Sequence, residues 1–281
     1  MKPGQESKTA VLVCMGRALA DGDPTLPAFS DPTAFALLPE EARRRVERVR
    51  SQATPKGIKK AIEHGFLLRQ SKIMAARTLE IDGAIREAAA PQVVILGAGL
   101  DGRAWRMREL SDVTVFEVDH PDSQREKRKR VVALSPVAQD VRFVPIDFAK
   151  DDLEHALSAA GHDASRPTTW VWEGVVMYLT RRAIEGTLAA IARRSARGSR
   201  LIVLYHRPAL LVRLVAPIVR WLGEPLRSAF AAEKMRILLD AHGFDRLRDR
   251  TVAEIGQAIS DELGASSAVA SHLAIVIATR R

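Results

Sequence analysis

The stretch "QVVILGAGLDGRAWRM", residues 92–107, decides the fold: a short, apolar, β-branched run ends in Gly97, Gly99 and Gly102, and a helix-forming segment follows at once. An unbroken apolar run of that length is expected of a parallel strand buried on both faces. The glycines are spaced G-x-G-x-x-G. Such a turn at the C-terminal end of a strand brings backbone N–H groups and the positive end of the next helix to a ligand. Taken alone, the same three residues also make a tight strand-to-helix turn and nothing more.

Downstream the alternation continues. "RAWRMREL" reads as a helix, "VTVFEVDH" as a second strand, "PDSQREKRKRVVALS" as a second helix and "VRFVPIDF" as a third strand, the βαβαβ unit of a doubly wound sheet. "DDLEHALSAAG", "TTWVWEGVVMYL", "RRAIEGTLAAIARRS" and "GSRLIVLYH" add helix, strand, helix and strand, "EKMRILLDAHGF" a further helix and "HLAIVIATR" a last strand. "PALLVRLVAPIVRWLG", from Pro208, interrupts this order as an apolar insert. Upstream no strand is expected; turns at "DGDPTLPAFSDP" and "SQATPKG" separate helices, the longest an amphipathic segment from Ile58 to Ala89. The expected organisation is a helical cap over 1–90 and an α/β core over 91–281, with 207–230 inserted as a helical lid.

At 47% hydrophobic and 27% charged, the 281 residues form an ordinary globular chain. The formal charge of +9 comes from scattered arginines with one dense block, "REKRKR" at Arg125–Arg130, and with 5% aromatics it reads as a solvated surface rather than a nucleic-acid footprint. A single cysteine, Cys14, excludes an internal disulfide and a multi-cysteine metal site and suits the cytoplasm. The polar lead containing Glu6 makes a poor signal peptide, and Arg213, Pro217 and Arg220 break the insert as a bilayer span. No metal, nucleic acid or membrane is expected as a partner.

Acids recur where successive strands end. Glu117 and Asp119 close the second strand about twenty residues after the glycines, where a carboxylate binds ribose hydroxyls. Side chains two apart share a face, and Asp119 lies nearer the cleft. Asp147 and Phe148 follow the third strand, suited to an adenine amine and its ring, although an aspartate there also caps the next helix. Glu173 follows the fourth strand in an apolar context, where an ionised group needs either a cationic ligand or an arginine. Together these describe a nucleoside pocket. A dinucleotide and S-adenosylmethionine both fit it, and Asp101 inside the loop opposes a pyrophosphate while tolerating a sulfonium.

With "SDPTAFALLP" from Ser30, "AARTLEID" from Ala75, "FEVDHPDSQREKRK" from Phe116, "VPIDF" from Val144 and "WVWEGVVMYL" from Trp170 in the same order, the chain resembles the leucine carboxyl methyltransferase family. Within it, the resemblance is to the bacterial S-adenosylmethionine-dependent O-methyltransferases that include polyketide-tailoring enzymes. It implies a class I methyltransferase fold, Rossmann-like, with a mostly parallel seven-stranded sheet closed by an antiparallel hairpin strand. It further implies S-adenosylmethionine as donor and S-adenosylhomocysteine as product. Gly97 and Gly99 would lie beside the methionine part, Asp119 on the ribose, Asp147 and Phe148 around the adenine, and Glu173 near the charged centre. Arg77 matches the family arginine that grips the donor carboxylate, a task for a fork that binds both oxygens. Gly102 departs from the family, which commonly has threonine there.

For the acceptor, a small molecule, a carboxyl oxygen needs no base at neutral pH whereas a hydroxyl does. His206 is the candidate base, Tyr205 and Tyr178 the candidate acceptor contacts, and Arg207 a candidate for an anionic group; a cap or loop role for His206 stands beside that reading. The insert is a lid, a core helix or the contact of a homodimer. An NAD(P)-dependent oxidoreductase and a non-enzymatic donor-binding sensor are the alternatives.

Overall fold

A computed structural model describes residues 7–51, 57–148, 150–209 and 226–281. Helices come first. α1 (Lys8–Ala20) starts at Ser7, whose hydroxyl accepts the Ala10 N–H at 3.1 Å. The short α2 (Thr33–Leu37) and the arginine-rich α3 (Glu40–Arg50) precede α4 (Ile58–Ala88), a 31-residue helix. α4 ends where Ala89 turns left-handed at φ 44°, just before Pro91, which cannot continue a helix.

β1 (Gln92–Leu96) pairs in parallel with β2 (Thr114–Asp119) on one side and β4 (Thr168–Trp172) on the other. β3 (Asp140–Pro145) flanks β2, and β5 (Arg200–His206) flanks β4, both parallel. β7 (Leu273–Arg280) runs antiparallel between β5 and β6 (Phe244–Thr251), so the seven strands stand in the order β3-β2-β1-β4-β5-β7-β6. The central position of β1 explains its composition. Val94 and Leu96 pack with Phe116 and Trp170 on one face, Val93 and Ile95 with Ile81 and Ile85 of α4 on the other. With both faces covered, Val93–Leu96 are all apolar, and the polar Gln92 at the start of the strand is buried with hydrogen bonds to Asp163 and Thr168.

The crossovers are α5 (Arg103–Arg106), α6 (Pro121–Val131), α7 (Leu153–Ala159) and α8 (Arg181–Arg193). α9 (Ala232–Ala241) leads into β6, and α10 (Val252–Ile259) and α11 (Asp261–Ser267) lead into β7. Three expectations need correction. "RAWRMREL" is not one helix: α5 stops at Arg106, Met107 is extended, and Arg108–Leu110 forms a separate 3-10 turn. Trp105, Met107 and Leu110 are all buried, and that spacing does not lie on one face of a regular helix. β6 and the helices after it escaped the reading, because β6 is an edge strand whose ends, Phe244 and Thr251, alone are buried, and "DRLRDR" between them looks like a loop. Finally, Lys127 in the basic block is not solvated but buried.

Of the expected lid at 207–230, residues 210–225 lie outside the described residues. Among the described residues no helix is long and apolar enough to cross a membrane.

Candidate functional site

The parallel strands end on one edge, and there a cavity of about 350 Å³ opens between the strand ends and α1. Arg77, Gly97, Gly99, Asp119, Asp147, Phe148 and Glu173 all line it. The glycine loop is hooked over the end of β2, since the N–H groups of Gly97 and Ala98 donate to the Val118 carbonyl at 2.7 and 3.1 Å. Gly97 sits at φ +72°, and a methyl on its Cα would overlap the Val175 side chain. Glycine is therefore required both by backbone and by space.

Asp119 holds the other side of that loop: Oδ2 accepts the Gly99 N–H at 2.5 Å and Oδ1 the His120 N–H at 2.6 Å. Burial pushes its pKa above the ordinary carboxylate value although both bonds pull the other way. Each oxygen keeps a lone pair for a ligand hydroxyl. Asp147 lies past the end of β3, its N–H donating to Asp151 Oδ2 at 2.7 Å and its carboxylate 3.1 Å from Lys150 Nζ. The cap of α7 is Asp152, which accepts from Glu154 and His155, so capping does not account for Asp147.

Arg77 projects from α4 into the interior and is 5% exposed. Its Nε and Nη2 both reach Glu173 Oε1 at 2.7 Å, and Arg103 Nη1 takes Glu173 Oε2 at 3.0 Å. Burial pushes Glu173 up, but Arg77 and Arg103 outweigh it and hold the carboxyl at about 2. Arg103 also binds Asp82 Oδ1 at 2.7 Å and Asp101 Oδ2 at 2.5 Å. Arg106 joins Asp82 to Asp31, and Arg17 closes the chain on Asp31 at 3.0 Å. Arginines 17, 77, 103 and 106 thus balance Asp31, Asp82, Asp101 and Glu173 in one buried network that ties the helical cap to the glycine loop and β4.

That network corrects the argument from Asp101. Its carboxylate accepts from the Arg103 backbone and side chain, and Arg103 and Arg17 hold its pKa down against burial. A paired carboxylate does not repel a pyrophosphate as a bare one would, so Asp101 does not choose between the two cofactor classes. Glu117 also leaves the ligand wall: it is fully buried, 2.6 Å from Lys127 Nζ, which in turn lies 5.0 Å from the Trp105 ring centroid. Burial raises Glu117 to about 7.

Of the acceptor-side candidates, Tyr205, His206 and Arg207 stand off the cavity wall. Tyr205 is fully buried and donates to both oxygens of Asp249 at 3.0 Å, and burial pushes its hydroxyl up to about 12. Arg207 binds Asp249 as well, at 3.0 Å. The His206 ring packs edge-on to His272 at 5.3 Å, and burial, His272 and Arg77 bring it down to about 4, neutral at pH 7. Tyr178 does line the cavity, with Val175, Leu179 and Arg227.

The sequence reading missed the roof and the ballast of the site. Ser7, Thr9, Ala10 and Val13 of the α1 region face the cavity, and a methyl on Gly99 would come 3.2 Å from Ala10. Asp31 and Asp82 sit in two of the quoted motifs, "SDPTAF" and "AARTLEID", and for Asp82 an acid among apolar helix positions was the available signal. No group of three His, Cys, Asp or Glu among the described residues could hold a metal ion.

Comparison with known proteins gives the same picture along most of the chain. The sequence profile of the leucine carboxyl methyltransferase family matches residues 10–192. A Streptomyces coelicolor protein provisionally named an S-adenosyl-L-methionine-dependent methyltransferase is 34% identical over 187 residues, 64% of this chain and 66% of that one. One with the same provisional name from Mycobacterium sp. (strain JLS) is 34% identical over 247 residues, 86% of this chain and 81% of its own. Among solved structures, a Streptomyces avermitilis protein of a family without assigned function superposes with a TM-score of 0.61 at 14% identity, covering 98% of both chains. A provisionally named Thermobifida fusca methyltransferase gives 0.60 at 14% identity, covering 100% of this chain and 97% of that one. At such identities the likeness is one of fold.

Proposed function

The chain belongs to the leucine carboxyl methyltransferase family and is an S-adenosylmethionine-dependent methyltransferase of the class I fold; on that premise we propose that it methylates a carboxyl or hydroxyl oxygen of a small molecule, of the polyketide type, with the carboxyl favoured. The donor supplies an electrophilic methyl group on a sulfonium. The wall fits it chemically: Gly97 brings bare backbone to the wall, Asp119 offers lone pairs for ribose hydroxyls, and Ile146 and Phe148 present apolar surface for a flat base beside the Asp147 carboxylate. Arg77 and Glu173 offer one positive and one negative group for an amino acid's two charges.

The observation that carries the acceptor reading is the cavity itself. Its volume of about 350 Å³ is within the range of small-molecule sites. Val13, Val175 and Leu179 give it apolar wall, and holding an oxygen nucleophile in line is most of what this chemistry asks of a protein. An ionised carboxylate needs no proton removed at neutral pH, and the candidate base His206 stands off the wall, which favours the carboxyl. The lone, buried Cys14 suits a reducing compartment, so the cytoplasm is the proposed place of action.

Calorimetry against S-adenosylmethionine, S-adenosylhomocysteine and NADH, with Asp119→Ala and Arg77→Ala as controls, tests the donor half. Binding of the two adenosyl compounds and its weakening in both variants is expected; binding of NADH alone would sink it. Turnover with a panel of carboxylic acids and phenols tests the other half. Products cleaved by mild alkali are esters, and alkali-stable ethers from phenols alone would replace the carboxyl by the hydroxyl.

A further inference from the structure

Nearly every charged side chain on the cavity wall is spoken for within the protein. Arg17 pairs with Asp31, Arg77 with Glu173, Asp101 with Arg103 and Asp147 with Lys150, while Asp119 accepts two backbone N–H groups. Arg227 differs. Its backbone is pinned to the 3-10 turn Val176–Tyr178: its N–H donates to the Met177 carbonyl at 2.7 Å, and the next residue, Ser228, donates through Oγ to the Val176 carbonyl at 2.7 Å. Arg227 lines the cavity, and its exposed side chain has no hydrogen bond or ion pair among the described residues. A fixed backbone carrying a free, permanently charged fork beside the apolar Val175 and Leu179 is an arrangement for a ligand anion.

We propose that Arg227 is the specificity-determining residue that holds a negatively charged group of the acceptor, so that the site selects molecules carrying a permanent anion on an apolar body. This rests on the methyltransferase reading above and narrows its acceptor. Arg227 suits the task better than Arg77, because binding to Arg77 must displace or share a buried carboxylate, whereas Arg227 gives up only water. A neutral acceptor of the same shape leaves the guanidinium facing an apolar group and gains nothing from it.

The test is direct binding with the donor half filled. In saturating S-adenosylhomocysteine, the affinities of octanoate and naphthoate are measured by calorimetry beside those of their neutral amides, in the unaltered protein, Arg227→Gln and Arg227→Lys. The unaltered protein is expected to prefer each carboxylate by about tenfold or more, the worth of a charge-assisted contact. Arg227→Gln should bring the ratio close to one, Arg227→Lys should keep part of it, and neither should change S-adenosylhomocysteine affinity more than about twofold. Equal affinities in the unaltered protein, no binding of either carboxylate, or a preference that survives Arg227→Gln each overturns the proposal. If S-adenosylhomocysteine fails to bind the unaltered protein, the methyltransferase reading falls, and the carboxylate-to-amide ratio still decides the role of Arg227.

Discussion

Arg77 spends two of its nitrogens, Nε and Nη2, on a single oxygen of Glu173, each at 2.7 Å, and the second oxygen of that carboxylate is left to Arg103 at 3.0 Å. One carboxylate therefore joins three parts of the chain: α4 of the cap, the segment after the glycine loop and the end of β4. Ions buried this deeply lose several kcal/mol of hydration each, and their mutual attraction roughly restores it. The network is consequently a weak source of stability as a whole but sensitive to the loss of a single member.

Replacing Glu173 by glutamine should show this. Arg77 and Arg103 would lose their shared counter-ion in a buried setting, at a cost of about 3 kcal/mol in unfolding free energy. The same change frees Arg77 to move, and the affinity for S-adenosylmethionine should fall by about tenfold or more. Urea unfolding and calorimetry on one preparation measure both. A variant as stable as the parent and as tight for the donor would mean that the network is ornamental.

Tyr205 provides a contrast within the same domain. Its hydroxyl is held by Asp249 away from the cavity, so Tyr205→Phe should leave donor affinity and turnover unaltered. Stability should drop by about 2 kcal/mol, the worth of a hydrogen bond to a charged group. A large fall in kcat with no change in stability would restore Tyr205 to the acceptor side.

Gly102 tests how the cap docks on the loop. A Cβ there would overlap the Thr33 hydroxyl, which donates to Asp31 Oδ1 at 2.7 Å. Threonine at this position should therefore cost about 2 kcal/mol or more, and Thr33→Ala should return part of the loss. Thermal unfolding of the two single variants and the double variant gives the coupling. Additive effects would show that α2 does not press on the loop.

How much of this was legible follows from what each residue must satisfy. The strands β1, β2, β4, β5 and β7 announce themselves because both faces are covered and most of their positions are apolar, whereas β6 carries alternating charge on an open edge. Gly97 was legible because its turn admits no side chain. The role of Asp101 was not, since a carboxylate's effect depends on the arginine beside it, and Arg103 is distinguishable from the chain's other arginines only by where the fold puts it. The same holds for Arg77, which periodicity alone leaves as a surface helix residue and the resemblance alone draws to the site. Tyr205 and His206 are the last two residues of β5, and alternation sends them to opposite faces without saying which face meets the cavity.

Three histidines that burial holds below their ordinary pKa, His162, His206 and His272, act on the acid side of the stability profile. His162 lies between Phe116 and Trp170, at 5.4 and 5.2 Å, where Arg194 Nε donates to its Nδ1 and leaves Nε2 beside Thr168. Burial and then Arg194 bring it from the ordinary 6.5 to about 4, and burial, His272 and Arg77 do the same for His206. A base whose folded pKa is depressed contributes stability that is complete above its unfolded pKa and lost as pH falls from 6.5 towards 4. Glu117, raised by burial to about 7, acts in the opposite sense: its contribution is complete below 4.5 and lost as pH rises through 7, so the net slope of the unaltered protein is shallower than the histidines alone would give. Glu173 enters only below 4.5. Comparing His206→Asn with the parent removes these common terms. The variant should gain on the parent by up to about 3 kcal/mol between pH 7.5 and pH 4, at about 1.4 kcal/mol per shifted pKa unit, in urea unfolding at several pH values. A stability difference that stays constant with pH would mean that His206 titrates as it does in water and is not enclosed behind Arg77.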